Sequence, residues 1–325
     1  MDVLVVGWSD IVRRRVLPAL ASVPGIGRIH LATGGVTPEA AGVTGTVWAG
    51  SGSVEAALEA SPGVLVYVSG INTDHAARVE SALVRGHHVI VDKPAFVDRE
   101  SAQRCLALAR AGDLMLAEAT VWAWHAQVRS LLAVMAERGW VARQARSTFT
   151  IPALPTHNFR VDPHSGGGVV ADMAAYALSP GRVLGGGDLV ACDASGLVVD
   201  DRGLDLGFTV HARYRSGLQV QGSFSIDGSY ANRLEVSGDD WQATLSPAFS
   251  SKPDTALAVH LSAAGADLGF TAPPSDPFAA FLESALTTGP RDPLQWTTAT
   301  AASAGDTLRL AAACGRPWGD SRGVD

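Results

Sequence analysis

The sequence predicts a two-domain protein: an α/β domain with a doubly wound parallel sheet, then an α+β domain on a large open, mostly antiparallel sheet. Two textures carry this reading. Over the first 120 residues short apolar runs alternate with helical segments, and beyond them five or six strand-like runs follow one another without intervening helices. The expected domains are 1–120 and 121–325, with the terminal helices free to pack back on the first. No long linker separates the halves, so a ligand cleft is expected between them.

"DVLVVG" is a continuous apolar strand, as in a parallel sheet covered on both faces. In the helix that follows, Val12, Val16 and Leu20 recur at i, i+4 and i+8. Pro18 lies inside it and deprives the Arg14 carbonyl of its donor, which predicts a kink or restart. "GRIHLAT" is the second strand, "GTVWAG" a short third, and "SVEAALEAS" a helix that Ser53 can cap. "GVLVYVSG", "HHVIVDKP" and "LMLAEA" are the fourth to sixth strands, separated by the helices "TDHAARVESALVRG", closing on Gly86, and "DRESAQRCLALARAG". The second domain opens with the helix "HAQVRSLLAVMAERG", a strand, and the helix "GGGVVADMAAYALSPG". Strand-like runs from "DLVACDASGLVVD" to "LAVHLSA" follow, and helices near "DPFAAFLESALTTG" and "TATAASAGDTLRLAAAC" finish the chain.

Composition narrows the function. A net charge of −7 without a basic block argues against nucleic acid as the main partner. No uncharged apolar run approaches the ~18 residues a membrane span needs, and the N-terminus enters a strand directly, without the pattern of a signal peptide. Cys105, Cys192 and Cys314 are odd in number, far apart and without a CxxC, so they read as reduced core residues rather than disulfides or metal ligands. A soluble cytoplasmic protein is expected. Of 25 Lys and Arg residues only Lys93 and Lys252 are lysine. Where arginine serves every generic positive charge, a retained lysine marks a need that arginine cannot meet: releasing a proton near neutral pH. Lys252 sits in the turn-like "SSKPDT", which leaves Lys93.

Three segments carry candidate chemistry. The first is the strand-to-helix loop of Gly7, Trp8, Ser9, Asp10 and Ile11. Gly7 permits the tight turn of a dinucleotide loop, and the helix N-terminus favours a pyrophosphate. Ser9 and Val12 stand where such loops carry two further glycines. A Ser9 hydroxyl near the pyrophosphate and a helix standing slightly off its strand are therefore expected. The second segment is "VSGINTDHAA" at the carboxyl end of the fourth strand, where Ser69, Gly70, Asn72 and His75 can face a cofactor. Asn72 or Thr73 serves equally as a helix cap, and His75 as a first-turn residue. The third is "VIVDKPA", which places Asp92 and the Lys93 ammonium at the same edge, with Pro94 fixing the backbone, a cis bond being one way to do so. At the end of strand two no carboxylate appears before Glu39. Thr33 with Arg13 and Arg14 suits a 2′-phosphate, so NADP(H) is expected over NAD(H).

In order, the Gly7 loop, "SGINTDH", "DKPA", "AEATVWAWHAQ" and "GGGVVADMAAY" resemble the glucose–fructose oxidoreductase/inositol dehydrogenase (Gfo/Idh/MocA) family of two-domain dehydrogenases. The resemblance implies a Rossmann-type first domain and places Lys93 beside the nicotinamide and the reacting carbon. Asp92 is a shortened version of the family's glutamate. Asp172 and Tyr176, one helical turn apart, match the family's active-site helix. For Tyr176 the other reading is a core aromatic bonded to Asp172. By the same resemblance Glu118 lies near the nicotinamide and His125 on the substrate side. Arg160 touches substrate or a diphosphate, and Trp122 and Trp124 offer aromatic faces, Trp124 at a common arginine position. The implied activity is hydride transfer between a nicotinamide and a carbinol or carbonyl carbon of a sugar-like small molecule, with Lys93, Asp172 and Tyr176 catalytic. The "RRRVLPAL" helix resembles that of nucleotide-diphospho-hexose ketoreductases, which makes a nucleotide-linked keto-deoxyhexose the expected substrate. A free sugar or polyol dehydrogenase is the alternative, and a non-catalytic ligand-binding protein on the same scaffold is the alternative of another class. The family's habit of pairing through the second sheet implies a homo-dimer or homo-tetramer.

Overall fold

The computed structural model describes residues 1–32 and 53–316, which fall into two compact units. One comprises Met1–Ala119 with Phe278–Ala304, the other Thr120–Pro277 with the chain from Gly305 onward. The strand expected at "GTVWAG" lies outside the described residues.

The first unit holds five parallel strands: β1 (Val3–Val6), β2 (Ile29–Ala32), β3 (Leu65–Val68), β4 (His88–Val91) and β5 (Leu116–Glu118). Their order is β2-β1-β3-β4-β5. Every residue of β1 and β3 is buried, which is why both read as unbroken apolar runs. The chain steps from β1 to β2 on one side and returns to β3 on the other. The strand order therefore reverses between β1 and β3, and the crevice outside their carboxyl ends is where open α/β sheets bind ligands.

The first helix shows the expected effect of Pro18. Val12–Val16 is a π-helical turn in which the Leu17 N–H reaches the Val12 carbonyl, and Leu17–Ser22 restarts as α-helix with Pro18 in its first turn. Ser53 caps the helix Val54–Glu59 as predicted, accepting the Ala56 N–H.

At the other edge of this sheet, hydroxyls of the helix Pro293–Ala313 stand in for a sixth strand. Thr297 Oγ1 accepts from the Leu116 N–H and donates to the Leu114 carbonyl, both at 3.1 Å. Thr300 Oγ1 accepts from the Glu118 N–H at 2.9 Å and donates to the Leu116 carbonyl at 2.8 Å. Steps of three along the helix match steps of two along the strand, and an edge that would otherwise present open backbone groups is satisfied.

In the second unit nine strands form one sheet: β6 (Gln144–Thr150), β7 (Leu189–Val199), β8 (Asp205–Tyr214), β9 (Gln219–Ser225), β10 (Ala231–Ser237), β11 (Trp241–Leu245), β12 (Leu257–Ala263), β13 (Ala266–Asp267) and β14 (Phe270–Ala272). The order is β13-β12-β11-β10-β6-β9-β8-β7, with β14 on β12; β6 and β9 are parallel and the other neighbours antiparallel. The helix Val169–Val183 covers β6, β8 and β9, and the core of the unit lies beneath it. Among the described residues no helix is long and apolar enough to cross a membrane.

Candidate active site

The crevice begins at Gly7, whose φ is +95°. A Cβ there would stand 2.1 Å from the Ser69 carbonyl oxygen, so glycine is required by the close approach of the β1 and β3 ends. Ser9 is used differently from expectation. Its Oγ accepts the Val12 N–H at 3.1 Å and is bonded to Ser69 Oγ at 2.9 Å. Ser69 gives its own proton to Asp92 Oδ2, so its oxygen receives the Ser9 proton. With its one proton directed at Ser69, Ser9 does not present a donor to a pyrophosphate, and that expectation is corrected. Val12 is buried at the start of the π-helical turn. Trp8 and Ile11 are half-buried, while exposed Asp10 pairs with Arg13 at 2.9 Å and Arg14 at 3.7 Å. Thr33 lies outside the described residues. Gly70, φ +131°, lies beside the Arg78 guanidinium, which donates to the Ser69 carbonyl and pairs with Asp74, both at 2.6 Å.

Around Lys93 the chain is fixed from both sides. The Asp92 carboxylate receives the Tyr67 hydroxyl and the Ser69 hydroxyl, each at 2.5 Å. The Lys93–Pro94 bond is cis, and the Pro94 carbonyl accepts from His75 Nδ1 at 2.9 Å. The Ala95 N–H donates to Glu118 Oε2 at 2.9 Å, and Ser303 Oγ donates to Glu118 Oε1 at 2.6 Å. Burial and the Asp92 charge push the Tyr67 phenol well above its ordinary range, so it remains a donor. Burial lowers the proton affinity of His75, which fits a neutral ring with the proton on Nδ1. Two readings change here, those of His75 and Asn72, and the support given by Glu118 is added. His75 is 1% exposed and serves the Pro94 carbonyl rather than a cofactor surface. Asn72 is buried and Ile71, not Asn72 or Thr73, is the N-cap of Asn72–Leu83. Glu118 aims its carboxylate at the Ala95 turn, because that buried N–H has to be satisfied.

In the second unit Asp172 and Tyr176 lie one turn apart on Val169–Val183. Arg160 Nε donates to Asp172 Oδ1 at 3.0 Å, and its guanidinium lies 4.7 Å from the Phe159 ring centroid. Two short 3₁₀ turns place Arg160, capped by Asn158 and Asp162. The glycine run before the helix belongs to this packing: a Cβ on Gly167 would stand 2.6 Å from the Arg160 carbonyl oxygen. The half-buried Tyr176 ring packs against Phe149 and Phe249, with centroids at 5.0 Å and 5.4 Å.

Trp122 and His125 are corrected. Trp122 is 1% exposed, lies edge-on to Phe249 and donates through Nε1 to Ser179 Oγ at 2.9 Å, so it is core rather than a face for sugar. His125 is buried as the N-cap of Ala126–Arg138, its Nδ1 accepting the Gln127 N–H at 3.1 Å. Half-buried Trp124 lies under the Arg129 guanidinium at 5.2 Å, so an arginine stands beside it.

The structure thus gathers Gly7, Ser9, Ser69, His75, Asp92, Lys93 and Glu118 at the carboxyl end of the first sheet, and Arg160, Asp172 and Tyr176 in the second unit. Tyr67, Ser303, Phe149 and Phe249 escaped the sequence reading. Only Tyr67 carried a signal: a tyrosine within an aliphatic buried strand must find a partner for its hydroxyl. Among the described residues no three His, Cys, Asp or Glu side chains gather as a metal site.

Residues 141–243 match the family model described as the GFO/IDH/MocA C-terminal domain. A dTDP-3,4-didehydro-2,6-dideoxy-alpha-D-glucose 3-reductase from Actinomadura kijaniata is 28% identical over 289 residues, spanning 85% of this chain and 83% of that protein. The chain is thus similar to the Gfo/Idh/MocA family, through this C-terminal domain and through relatives aligned along most of its length. A D-xylose 1-dehydrogenase (NADP(+)) of Haloferax volcanii is 27% identical over 230 residues, 70% of each chain. The crystal structure of a 3-ketoreductase from Actinomadura kijaniata in complex with TDP-benzene and NADP gives a TM-score of 0.80 at 27% identity, covering 95% of this chain and 96% of that one. This likeness agrees with the fold that the Gly7, Lys93 and Asp172/Tyr176 motifs imply.

Proposed function

We propose that this protein is a cytoplasmic, NADP(H)-dependent oxidoreductase that reduces the keto group of a nucleotide-diphosphate-linked keto-deoxyhexose. The observation that carries the reading is the Asp92–Lys93–Pro94 turn at the carboxyl edge of the parallel sheet, braced by Tyr67, Ser69, His75 and Glu118. A lysine in an otherwise arginine-rich chain, held this firmly, suits a group that handles a proton.

The crevice fits a dinucleotide. The β1 and β3 ends meet at Gly7, and a helix N-terminus follows with Arg13 and Arg14 on its first turns. Trp8, Asp10 and Ile11 would hold the cofactor through the loop, and Arg14 would favour a 2′-phosphate. When bound, that cofactor supplies the hydride. Lys93 or Tyr176 donates the proton to the carbonyl oxygen, and Lys93 stabilises the negative charge that develops there. Asp172, tied to Arg160, orients Tyr176. Arg129 beside Trp124 offers a cation for an anionic part of the substrate. The protein works as a homo-dimer or homo-tetramer through the second sheet, whose edge strand β7 leaves Val190, Val198 and Val199 exposed.

The substrate class follows the Actinomadura relatives. The Haloferax relative favours a second reading, a free-sugar dehydrogenase with the same residues. Fluorescence titration with NADPH and NADH tests the cofactor, with NADPH expected to bind more tightly; binding of neither refutes the enzyme. Lys93→Ala is expected to lower kcat by about a thousandfold at unchanged NADPH affinity. Full retained turnover would refute its role.

A further inference from the structure

The serine that replaces a loop glycine has a use that the function proposed above does not assign. Four groups form a hydrogen-bond chain that runs one way: Val12 N–H to Ser9 Oγ, Ser9 O–H to Ser69 Oγ, and Ser69 O–H to Asp92 Oδ2. Each hydroxyl has one proton, and each is committed. The other Asp92 oxygen takes the Tyr67 hydroxyl. Ser69 and Tyr67 are each 0% exposed, so water is poorly placed to replace a missing link.

We infer that Ser9 is a positioning residue for Lys93, acting through Ser69 and Asp92. The inference rests on the reading of Lys93 as the proton-handling group. Asp92 has a short side chain, and three hydroxyls from the ends of two neighbouring strands, directly or in relay, fix where its charge lies. That charge is adjacent in sequence to Lys93, and a fixed carboxylate favours the ammonium form of a neighbouring amine. Tyr67 and His75, which act on Asp92, are both held uncharged by burial, and the Arg78 guanidinium beside Ser69 is paired with Asp74. A hydroxyl thus stands where a dinucleotide loop ordinarily has glycine, and it ties the cofactor loop to the proton-handling turn.

Ser9→Gly makes the test sharp, because it restores the residue that a dinucleotide loop ordinarily has. If Ser9 served only the cofactor, this variant would bind NADPH as well or better and turn over normally. The relay predicts NADPH affinity within about twofold of the parent, with kcat reduced roughly tenfold and its pH profile displaced. Ser69→Ala should give the same loss, the double variant no more than either single one, and Ser9→Thr should recover it. Glycine is well tolerated where a helix begins, so Ser9→Gly is expected to fold with a melting curve close to the parent's.

A second readout needs no turnover. The chain has only two lysines, so ¹³C-labelled lysine gives one signal for Lys93 and one for Lys252. In Ser9→Gly the Lys93 signal should titrate at lower pH than in the parent while Lys252 stays put. If the parent enzyme shows no activity but this shift is seen, the proposed function fails and the relay stands. If the parent is active and both the Lys93 titration and kcat are unchanged in Ser9→Gly, the relay is overturned.

Discussion

The two units hold their candidate groups by different means. In the first, Lys93 is positioned by hydrogen bonds: Asp92 by Tyr67 and Ser69, the Pro94 carbonyl by His75, and the Ala95 N–H by Glu118. In the second, the Tyr176 ring packs against Phe149 and Phe249, beside the Arg160–Asp172 ion pair. A site built from buried hydrogen bonds depends on single atoms, because removing one partner strands the other away from water. A site built from ring packing tolerates loss of a polar atom as long as shape is kept.

Glu118→Ala should break this contrast most severely. It leaves the buried Ala95 N–H without its acceptor and Ser303 without its partner, and a loss of about 3 kcal/mol is expected from denaturant unfolding. Glu118→Gln keeps an acceptor and should cost about 1 kcal/mol; equal stability of Glu118→Ala and the parent would show that the turn is held otherwise.

A smaller effect follows from His75. Its folded proton affinity lies below the ordinary 6.5, so the unfolded chain binds the proton more readily. Stability from this group is complete above pH 6.5 and is lost as the pH falls below that value. His88, lowered by burial as well, adds to the same slope. Unfolding measured on both sides of pH 6.5 should show it, and His75→Gln should flatten it.

Tyr176→Phe keeps the ring contacts with Phe149 and Phe249, and a smaller stability change than that of Glu118→Ala is expected. Its kcat should nonetheless fall by about a hundredfold or more if the hydroxyl serves the reaction. A large loss of stability in this variant would place Tyr176 with the hydrogen-bonded type of site.

Much of the fold was legible because of how each sheet is covered. The first sheet's strands are buried on both faces and appear as "VLVV" and "VIV" runs; most of the second sheet's strands were visible as a succession without helices. The attachment of residues 278–304 was not legible in its means, since the Thr297 and Thr300 hydroxyls pair with backbone more than 180 residues away. At the site, Lys93 stood out through the scarcity of lysine. Its supports did not, because the link from Ser9 to Asp92 depends on how closely β1 and β3 approach, which no local spacing encodes. Trp122 and His125 misled for the opposite reason: an aromatic or a histidine at a plausible spacing looks the same whether it faces a ligand or fills a core.

NADPH oxidation by the purified protein with a dTDP-linked keto-dideoxyhexose, followed by identification of the sugar product, tests the central claim most directly. Oxidation with formation of the reduced sugar is expected from the parent, none from Lys93→Ala despite NADPH binding, and little or none when free xylose replaces the nucleotide sugar. Oxidation with free xylose but not with the nucleotide sugar, or equal turnover by Lys93→Ala, would contradict it.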